Sequence, residues 1–285
     1  MGPVSIGAVL TAVAIVGGVG VCFAAMIALT HRKFYVWEDP RIDEVTGLLP
    51  GANCGACGQA GCRAFAESLV GAAAKPALCT VSSPEVLEDI AAYLGVAVGE
   101  ANRRVARLLC AGGCDAAPPI ADYRGLLTCK AAAAVNGGGK SCAWGCLGLA
   151  DCQVACTFDA IRMNPVGLPV VIPDKCTACG DCVVACPKDL FTIMPIEQRL
   201  IVQCKSALEG DEAERRCRVA CTACGKCVMD AAPGLIEIRD GLAVIDYAKN
   251  DLARPGATAR CPTGAIVWVE GSQFAESPKL AEALA

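Results

Sequence analysis

The chain has 285 residues, of which 22 are cysteine, one is histidine and only 5% are aromatic, and its net charge is −4. So few bulky side chains exclude a large apolar core, and small modules held together by metal fit the composition better. The absence of a basic patch argues against a nucleic-acid partner. Cysteines can form disulfides, zinc sites or iron–sulfur clusters. Because the histidine, His31, lies outside every cysteine group, clusters are favoured over zinc.

An uncharged run over residues 3–30 is long enough to cross a membrane as a helix, since the hydrocarbon core needs about 20 apolar residues. Three basic residues, His31 to Lys33, follow at once, and the positive-inside rule then places the remaining chain in the cytoplasm. A cleaved signal peptide is the alternative, but the run is too long and no basic segment precedes it. We therefore expect a single-pass anchor over residues 1–33, in contact with lipid of the inner (cytoplasmic) membrane, with the soluble part facing the cytoplasm.

The next unit, residues 34–100, carries four cysteines. Three lie in glycine-rich loops, and the fourth lies 17 positions further on. Glycine permits positive-φ turns and close approach of the backbone to sulfur, so such loops can bring thiolates to one face. Helices are predicted at 63–74 and 84–94, the second with Ser83 as its N-cap. We expect a 4Fe–4S cluster here, with a zinc knuckle as the alternative. The expected ligands are Cys54, Cys57, Cys62 and Cys79.

Residues 129–186 and 204–261 repeat one cysteine framework, offset by 75 positions (129 to 204). Self-similarity at a fixed period indicates a duplicated structural unit. The paired cysteines are Cys129 and Cys204, Cys142 and Cys217, Cys146 and Cys221, Cys152 and Cys227, and Cys186 and Cys261. Lysine follows the first pair and proline follows the last in both copies, so the register is kept over the whole framework.

Short β-like stretches separate the cysteine runs, at 168–172 and 193–195 in the first copy and at 235–239 and 242–245 in the second. We therefore predict an α+β fold with an N-terminal transmembrane helix, a small 4Fe–4S domain and two ferredoxin-like βαββαβ repeats. The predicted boundaries are 1–33 for the anchor, 34–100 for the 4Fe–4S domain, 101–200 and 201–270 for the two repeats, and 271–285 for a C-terminal tail.

The first copy contains a complete C-x2-C-x2-C-x3-C-P run at residues 176–187. In bacterial ferredoxins the fourth cysteine of this run binds the other cluster. One 4Fe–4S site is therefore expected from Cys156, Cys176, Cys179 and Cys182. The other site lacks one cysteine, because Leu149 occupies its place, so Cys142 or Cys129 must substitute. The expected set uses the first of these, giving Cys142, Cys146, Cys152 and Cys186.

The second copy retains one site. Its expected ligands are Cys221, Cys224, Cys227 and Cys261. The positions of its other site carry Ala231, Asp251, Arg254 and Ala257, so one cluster has been lost. At least four clusters result. Besides Cys22, which is read as an apolar residue of the anchor, Cys110, Cys114, Cys129, Cys204 and Cys217 remain. Either Cys110 and Cys114 bind a fifth cluster together with two of the other three, or some of these cysteines are buried free thiols. We expect the fifth cluster, because reactive thiols are a liability unless they are ligated.

This order of elements resembles the B subunit of the Rnf complex, a membrane ferredoxin:NAD oxidoreductase family. The motif at 55–62, Gly-Ala-Cys-Gly-Gln-Ala-Gly-Cys, is similar to the first cluster domain of that family, and residues 142–156 are similar to its longer members. The resemblance implies a cytoplasmic electron-input subunit. It would accept electrons from soluble ferredoxin and pass them to other membrane and flavin or iron–sulfur subunits, coupled to Na⁺ or H⁺ translocation.

The sequence contains no Ser/His/Asp set, catalytic Cys/His pair or phosphate loop, so we expect no catalytic site in this chain. Its predicted chemistry is one-electron relay between clusters, which the protein tunes by hydrogen bonds, burial and charge. One alternative is a membrane-tethered ferredoxin that supplies a cytoplasmic reductase without ion pumping. Another is a structural zinc-binding adaptor.

Overall fold

The computed structural model describes residues 6–34, 37–100 and 102–275, and the chain there is a mixed helix and strand protein. The N-terminal helix α1 (Ile6–Phe34) ends in three basic residues. Its stretch Val9–Phe34 has a mean hydropathy of 2.5, and none of it is buried against the rest of the chain. By length and composition this helix can cross a membrane. Residues 1–5 of the predicted anchor lie outside the described residues.

Three helices surround a small apolar core in the first domain. They are α2 (Arg41–Leu48), α3 (Cys62–Val70) and α4 (Pro84–Leu94). The Ser83 hydroxyl accepts a hydrogen bond from the Val86 N–H, which confirms the predicted N-cap of α4. Helix α3 ends earlier than the predicted 63–74, because Ala72 adopts a left-handed φ of 56° that no helix can continue. The core is formed by Val45, Phe65, Leu69 and Ile90.

The first copy of the repeat contains two antiparallel strand pairs. Strand β1 (Arg104–Leu108) pairs with β4 (Phe191–Pro195), and β2 (Ile161–Met163) pairs with β3 (Pro169–Val171). Three short helices, α5 (Cys129–Ala134), α6 (Asp151–Val154) and α7 (Asp181–Ala185), complete the described part of this copy. The strands at 169–171 and 191–195 confirm two sequence predictions, whereas β1 and β2 were not predicted.

The second copy has the same plan. Strand β5 (Leu200–Val202) pairs with β8 (Ile266–Trp268), and β6 (Ile236–Arg239) pairs with β7 (Leu242–Ile245). The predicted hairpin between β6 and β7 is present, and both residues of its turn, Asp240 and Gly241, have positive φ, as a tight hairpin turn requires. Helices α8 (Gly210–Arg216) and α9 (Lys226–Asp230) carry cysteines at or near their ends.

The predicted C-terminal tail is anchored at its start. The Arg107 guanidinium donates to the Gly271 carbonyl at 2.8 Å, and the Leu108 N–H donates to the Gln273 side chain at 2.9 Å. Phe274 packs on the apolar cluster of the first copy. Residues 271–274 therefore belong to the folded unit. Residues 276–285, the rest of the predicted tail, lie outside the described residues.

We predict that Leu200→Ala lowers the free energy of unfolding by about 2–5 kcal/mol, the usual cost of truncating a buried leucine. Leu200 is fully buried in β5 and packs in the core of the second copy. The matched control is Leu252→Ala, since Leu252 is 46% exposed and should cost about 0.5 kcal/mol. Anaerobic urea unfolding followed by circular dichroism measures both. Equal losses for the two variants would contradict this packing.

Candidate metal centres

The first cysteine group lies in the loops around α3. Asn53, with a left-handed φ of 47°, accepts a hydrogen bond from the Cys62 N–H at 2.8 Å. The Cys79 thiol lies 3.2 Å from the Ser82 hydroxyl oxygen. Burial raises the pKa of the Cys57 thiol, and the neighbouring thiols of Cys79 and Cys54 raise it further. The structure thus brings the predicted set together, and we call it site A: Cys54, Cys57, Cys62 and Cys79.

A cavity in the first copy is lined by residues of β1, β2, β4 and α7. Its four cysteines are the set predicted from the ferredoxin run, and we call them site B: Cys156, Cys176, Cys179 and Cys182. Burial raises the pKa of the Cys182 thiol to about 12, with smaller contributions from the other three thiols. Four mutually repelling thiolates around one cavity are unfavourable unless a cation or cluster binds there.

A second cavity lies in the second copy and is also lined by a predicted set. We call it site E: Cys221, Cys224, Cys227 and Cys261. Burial raises the pKa of the Cys227 thiol to about 11. Burial acts in the same direction on Cys261, but its pKa is lowered overall, because N–H groups of the loop after Pro262 point at its sulfur. Such N–H groups are also the donors that tune cluster potentials.

The remaining site of the first copy is built around Cys129, whereas the sequence expectation used Cys142. The pKa of the Cys129 thiol is raised overall, because burial is the largest influence on it. The backbone N–H groups of Asp151 and Leu149 donate to its sulfur and act in the opposite direction. The thiol of Cys129 therefore lies beside the backbone of position 149, where the expected cysteine is missing. Three further thiols are close enough to interact electrostatically with one another or with it. We call this set site C: Cys129, Cys146, Cys152 and Cys186.

Cys142 lies instead in a third cavity, between the two copies. We call its four cysteines site D: Cys110, Cys142, Cys204 and Cys217. Three of these were among the spare cysteines of the sequence, and the fourth was assigned to the neighbouring site. The repeat did indicate that Cys142 and Cys217 have the same role, because they occupy equivalent positions in the two copies. Cys114 is exposed and lines a separate, open cavity with Tyr123 and Val166, so the structure leaves it outside site D.

The donor sets of sites B, D and E fit a cluster better than a single ion. Four sulfurs line each cavity, and within residues 6–34, 37–100 and 102–275 no three Cys, His, Asp or Glu side chains converge closely enough to hold one metal ion. All-cysteine sets of four are the usual ligands of 4Fe–4S clusters. Because burial raises the pKa of several of these thiols, to about 12 at Cys182 and about 11 at Cys204, ligation must release protons.

A buried arginine supports the same fit at site B. Arg107 is 1% exposed, and its Nε has no hydrogen-bond partner among the described residues. Burial lowers the pKa of this guanidinium, and the nearby Cys176 sulfur is the one group that acts against that effect. A buried cation needs a compensating anion. A four-thiolate cluster at site B is anionic and would provide that charge.

The position that lost its cysteines in the second copy is filled by apolar packing. Ala257 is 2% exposed and packs in the core with Ala231 and Ala253. Arg254 donates to the backbone carbonyls of Asp251 and Ala253 at 2.8 and 2.7 Å. The second copy thus has a closed core where the first has site B.

Comparison with known proteins places the chain in a family. Residues 49–81 match the family described as "Putative Fe-S cluster", and residues 169–192 match "4Fe-4S binding domain". The B subunit of the Na⁺-translocating ferredoxin:NAD⁺ oxidoreductase complex of Acetobacterium woodii is 41% identical over 242 residues, 85% of this chain and 73% of that protein. The chain belongs to the B subunits of Rnf-type ion-translocating oxidoreductase complexes.

Two further B subunits agree with this membership. That of the ion-translocating oxidoreductase complex of Methanosarcina acetivorans is 40% identical over 90% of this chain and 97% of its own length. That of the proton-translocating ferredoxin:NAD⁺ oxidoreductase complex of Clostridium ljungdahlii is 34% identical over 92% of this chain and 93% of its own length. The similarity therefore extends over the repeated region as well as the first domain.

In this member of the family the five cysteine sites form one series of neighbours. The Thr80 hydroxyl, next to site A, donates to the carbonyl of Thr177 in site B at 2.7 Å. Cys182 of site B and Cys152 of site C interact electrostatically. Site D follows, because the Cys146 N–H of site C donates to the Cys110 sulfur at 3.4 Å. Finally, the Cys221 N–H of site E donates to the Cys204 sulfur of site D.

Proposed function

We propose that the chain is the iron–sulfur electron-transfer subunit of a membrane ferredoxin:NAD oxidoreductase that translocates ions. It accepts electrons from reduced soluble ferredoxin and relays them to the other membrane and flavin or iron–sulfur subunits of the complex. The single-pass helix α1 holds it in the cytoplasmic membrane, with the cysteine sites on the cytoplasmic side. The observation that carries this proposal is the unbroken series of sites from A to E, since electron relay requires neighbouring redox centres.

The proposed cofactors are five 4Fe–4S clusters, one at each site. Each repeat is proposed to be a ferredoxin-like βαββαβ unit, which the outer strand pair and inner hairpin of each copy support. Bound clusters supply one-electron redox chemistry, and this chain positions them and sets their environment. Backbone N–H groups that point at sulfur, such as those of Cys146 and Cys221, stabilise added negative charge. Site D connects the two copies, so electrons can pass from site C to site E although the second copy has lost one of its sites.

Reduced ferredoxin should reduce the full-length, detergent-solubilised chain in the absence of other subunits, whereas NADH should not, because the proposed clusters accept single electrons and no hydride. Anaerobic Mössbauer spectroscopy of a chain labelled with Mössbauer-active iron distinguishes its clusters from those of unlabelled ferredoxin. A preparation that contains zinc and no acid-labile sulfide would contradict the proposal, and so would clusters that reduced ferredoxin leaves oxidised.

Removal of one site D ligand should remove one cluster. We expect Cys110→Ala to lose about four iron and four sulfide per chain while the other four clusters remain. Cys114→Ala is the matched control, because this exposed cysteine four positions away lies outside the cavity, and it should keep the full iron content. Anaerobic iron and sulfide analysis measures both. Equal iron contents in the two variants would show that site D holds no cluster.

The ligand set of site C can be tested by rescue. Cys129→Ala should lose about four iron per chain. Adding Leu149→Cys should restore them, because the Cys129 sulfur accepts a hydrogen bond from the Leu149 N–H and the equivalent position in the second copy is Cys224. Leu149→Cys alone should keep the wild-type iron content and serves as the control. A double variant that stays deficient would contradict the equivalence of these two positions, and full iron in Cys129→Ala would remove Cys129 from the site.

A further inference from the structure

A half-buried lysine lies between sites C and D. The Lys140 ammonium donates to the carbonyl of Gly112 at 2.5 Å and to the carbonyl of Cys146. Cys146 belongs to site C. Gly112 lies against site D, since a Cβ on this glycine would stand 2.9 Å from the Cys217 sulfur and 3.7 Å from the Cys110 sulfur. One cation is thus held by backbone groups of two neighbouring sites.

This cation has no carboxylate partner. Among the described residues no Asp or Glu oxygen lies within salt-bridge distance of the Lys140 ammonium, and both of its hydrogen-bond acceptors are neutral carbonyls. A partly buried charge without an opposite charge is unfavourable. The nearest groups that become anionic are the thiols of the two sites. Burial raises the pKa values of Cys110, Cys146 and Cys217, and in each case Lys140 acts in the opposite direction.

We propose that Lys140 is the fixed positive charge that raises the reduction potentials of the clusters at sites C and D. This inference rests on the proposed function. Each one-electron reduction adds a negative charge to a cluster, and a nearby cation stabilises the reduced form. Because the same ammonium faces both sites, an electron that moves from one cluster to the other stays within its field. Lys140 therefore acts on the two clusters through its charge and does not bind iron.

Redox titration of the full chain, followed by EPR, measures this effect. In Lys140→Gln and Lys140→Met, two of the five reduction steps should move to lower potential, each by about a tenfold change in the equilibrium constant, or 59 mV for one electron. The Cys110→Ala and Cys129→Ala variants identify which steps belong to sites D and C. Lys140→Arg keeps the charge and should stay near the wild-type potentials. Lys130→Gln removes an equal charge from an exposed position beside Cys129 and should shift no step comparably.

The outcomes separate this inference from the proposed function. Wild-type protein without signals from sites C and D would refute the clusters themselves. Wild-type signals that stay unshifted in both neutral variants would overturn only the role of Lys140, and so would a shift of all five steps. Because Gln retains N–H donors for the two carbonyls, it keeps the comparison with Arg usable if the Met variant fails to assemble. If neither neutral variant assembles its clusters while Arg does, Lys140 is needed for assembly and the tuning role is wrong.

Discussion

Site D joins the two copies, because its four cysteines come from separate parts of the chain. One follows strand β1, one lies in the first copy, and two lie in the second. The side chains around it are small, and the buried ones are Ala116, Ala117, Ala213 and Ala220. Such packing buries little apolar area. Sulfur–iron bonds at site D would therefore add to the side-chain contacts between the copies, which include a second apolar cluster of Met194, Ile201 and Val269.

Besides the lost site, the two copies differ in where their first cysteine lies, and position 149 accounts for that difference. In the second copy Cys224 completes site E, so Cys204 is available for site D. In the first copy Leu149 stands at the equivalent position, and Cys129, the equivalent of Cys204, turns to site C and accepts the Leu149 N–H. The first cysteine of the framework thus has a different place in each copy. Cys129 belongs to a site within its own copy, whereas Cys204 belongs to the site at the boundary between the copies. The cysteines at 204 and 217 line a cavity shared by the two copies, and in the proposed function they are ligands of its cluster rather than remnants of a lost site.

Sequence spacing was informative where the ligands are local. In the run from Cys176 to Cys182 tight turns determine which thiols face one cavity, and the predicted set lines it. Spacing could not distinguish Cys129 from Cys142, because that choice depends on how a segment of more than ten residues folds back onto Leu149. Strands β2 and β5 were missed for a related reason. Each has three residues, too few for an alternating pattern, and neither follows a glycine turn such as the one at Gly167 that marks β3, so tertiary pairing decides their conformation.

The burial of positive charge cannot be recognised from the amino-acid composition. The net charge of −4 is a sum over the polypeptide and does not show where the charges lie. Arg107 is buried and Lys140 is half-buried, and both cationic side chains lie next to thiols. With the thiols protonated, both cations lack counter-charges and the interior is strained electrostatically. Ligation converts four thiols per site into thiolates and reverses that imbalance. The same residues that make the metal-free chain unfavourable therefore favour cluster binding, which couples folding of the repeated region to its cofactors.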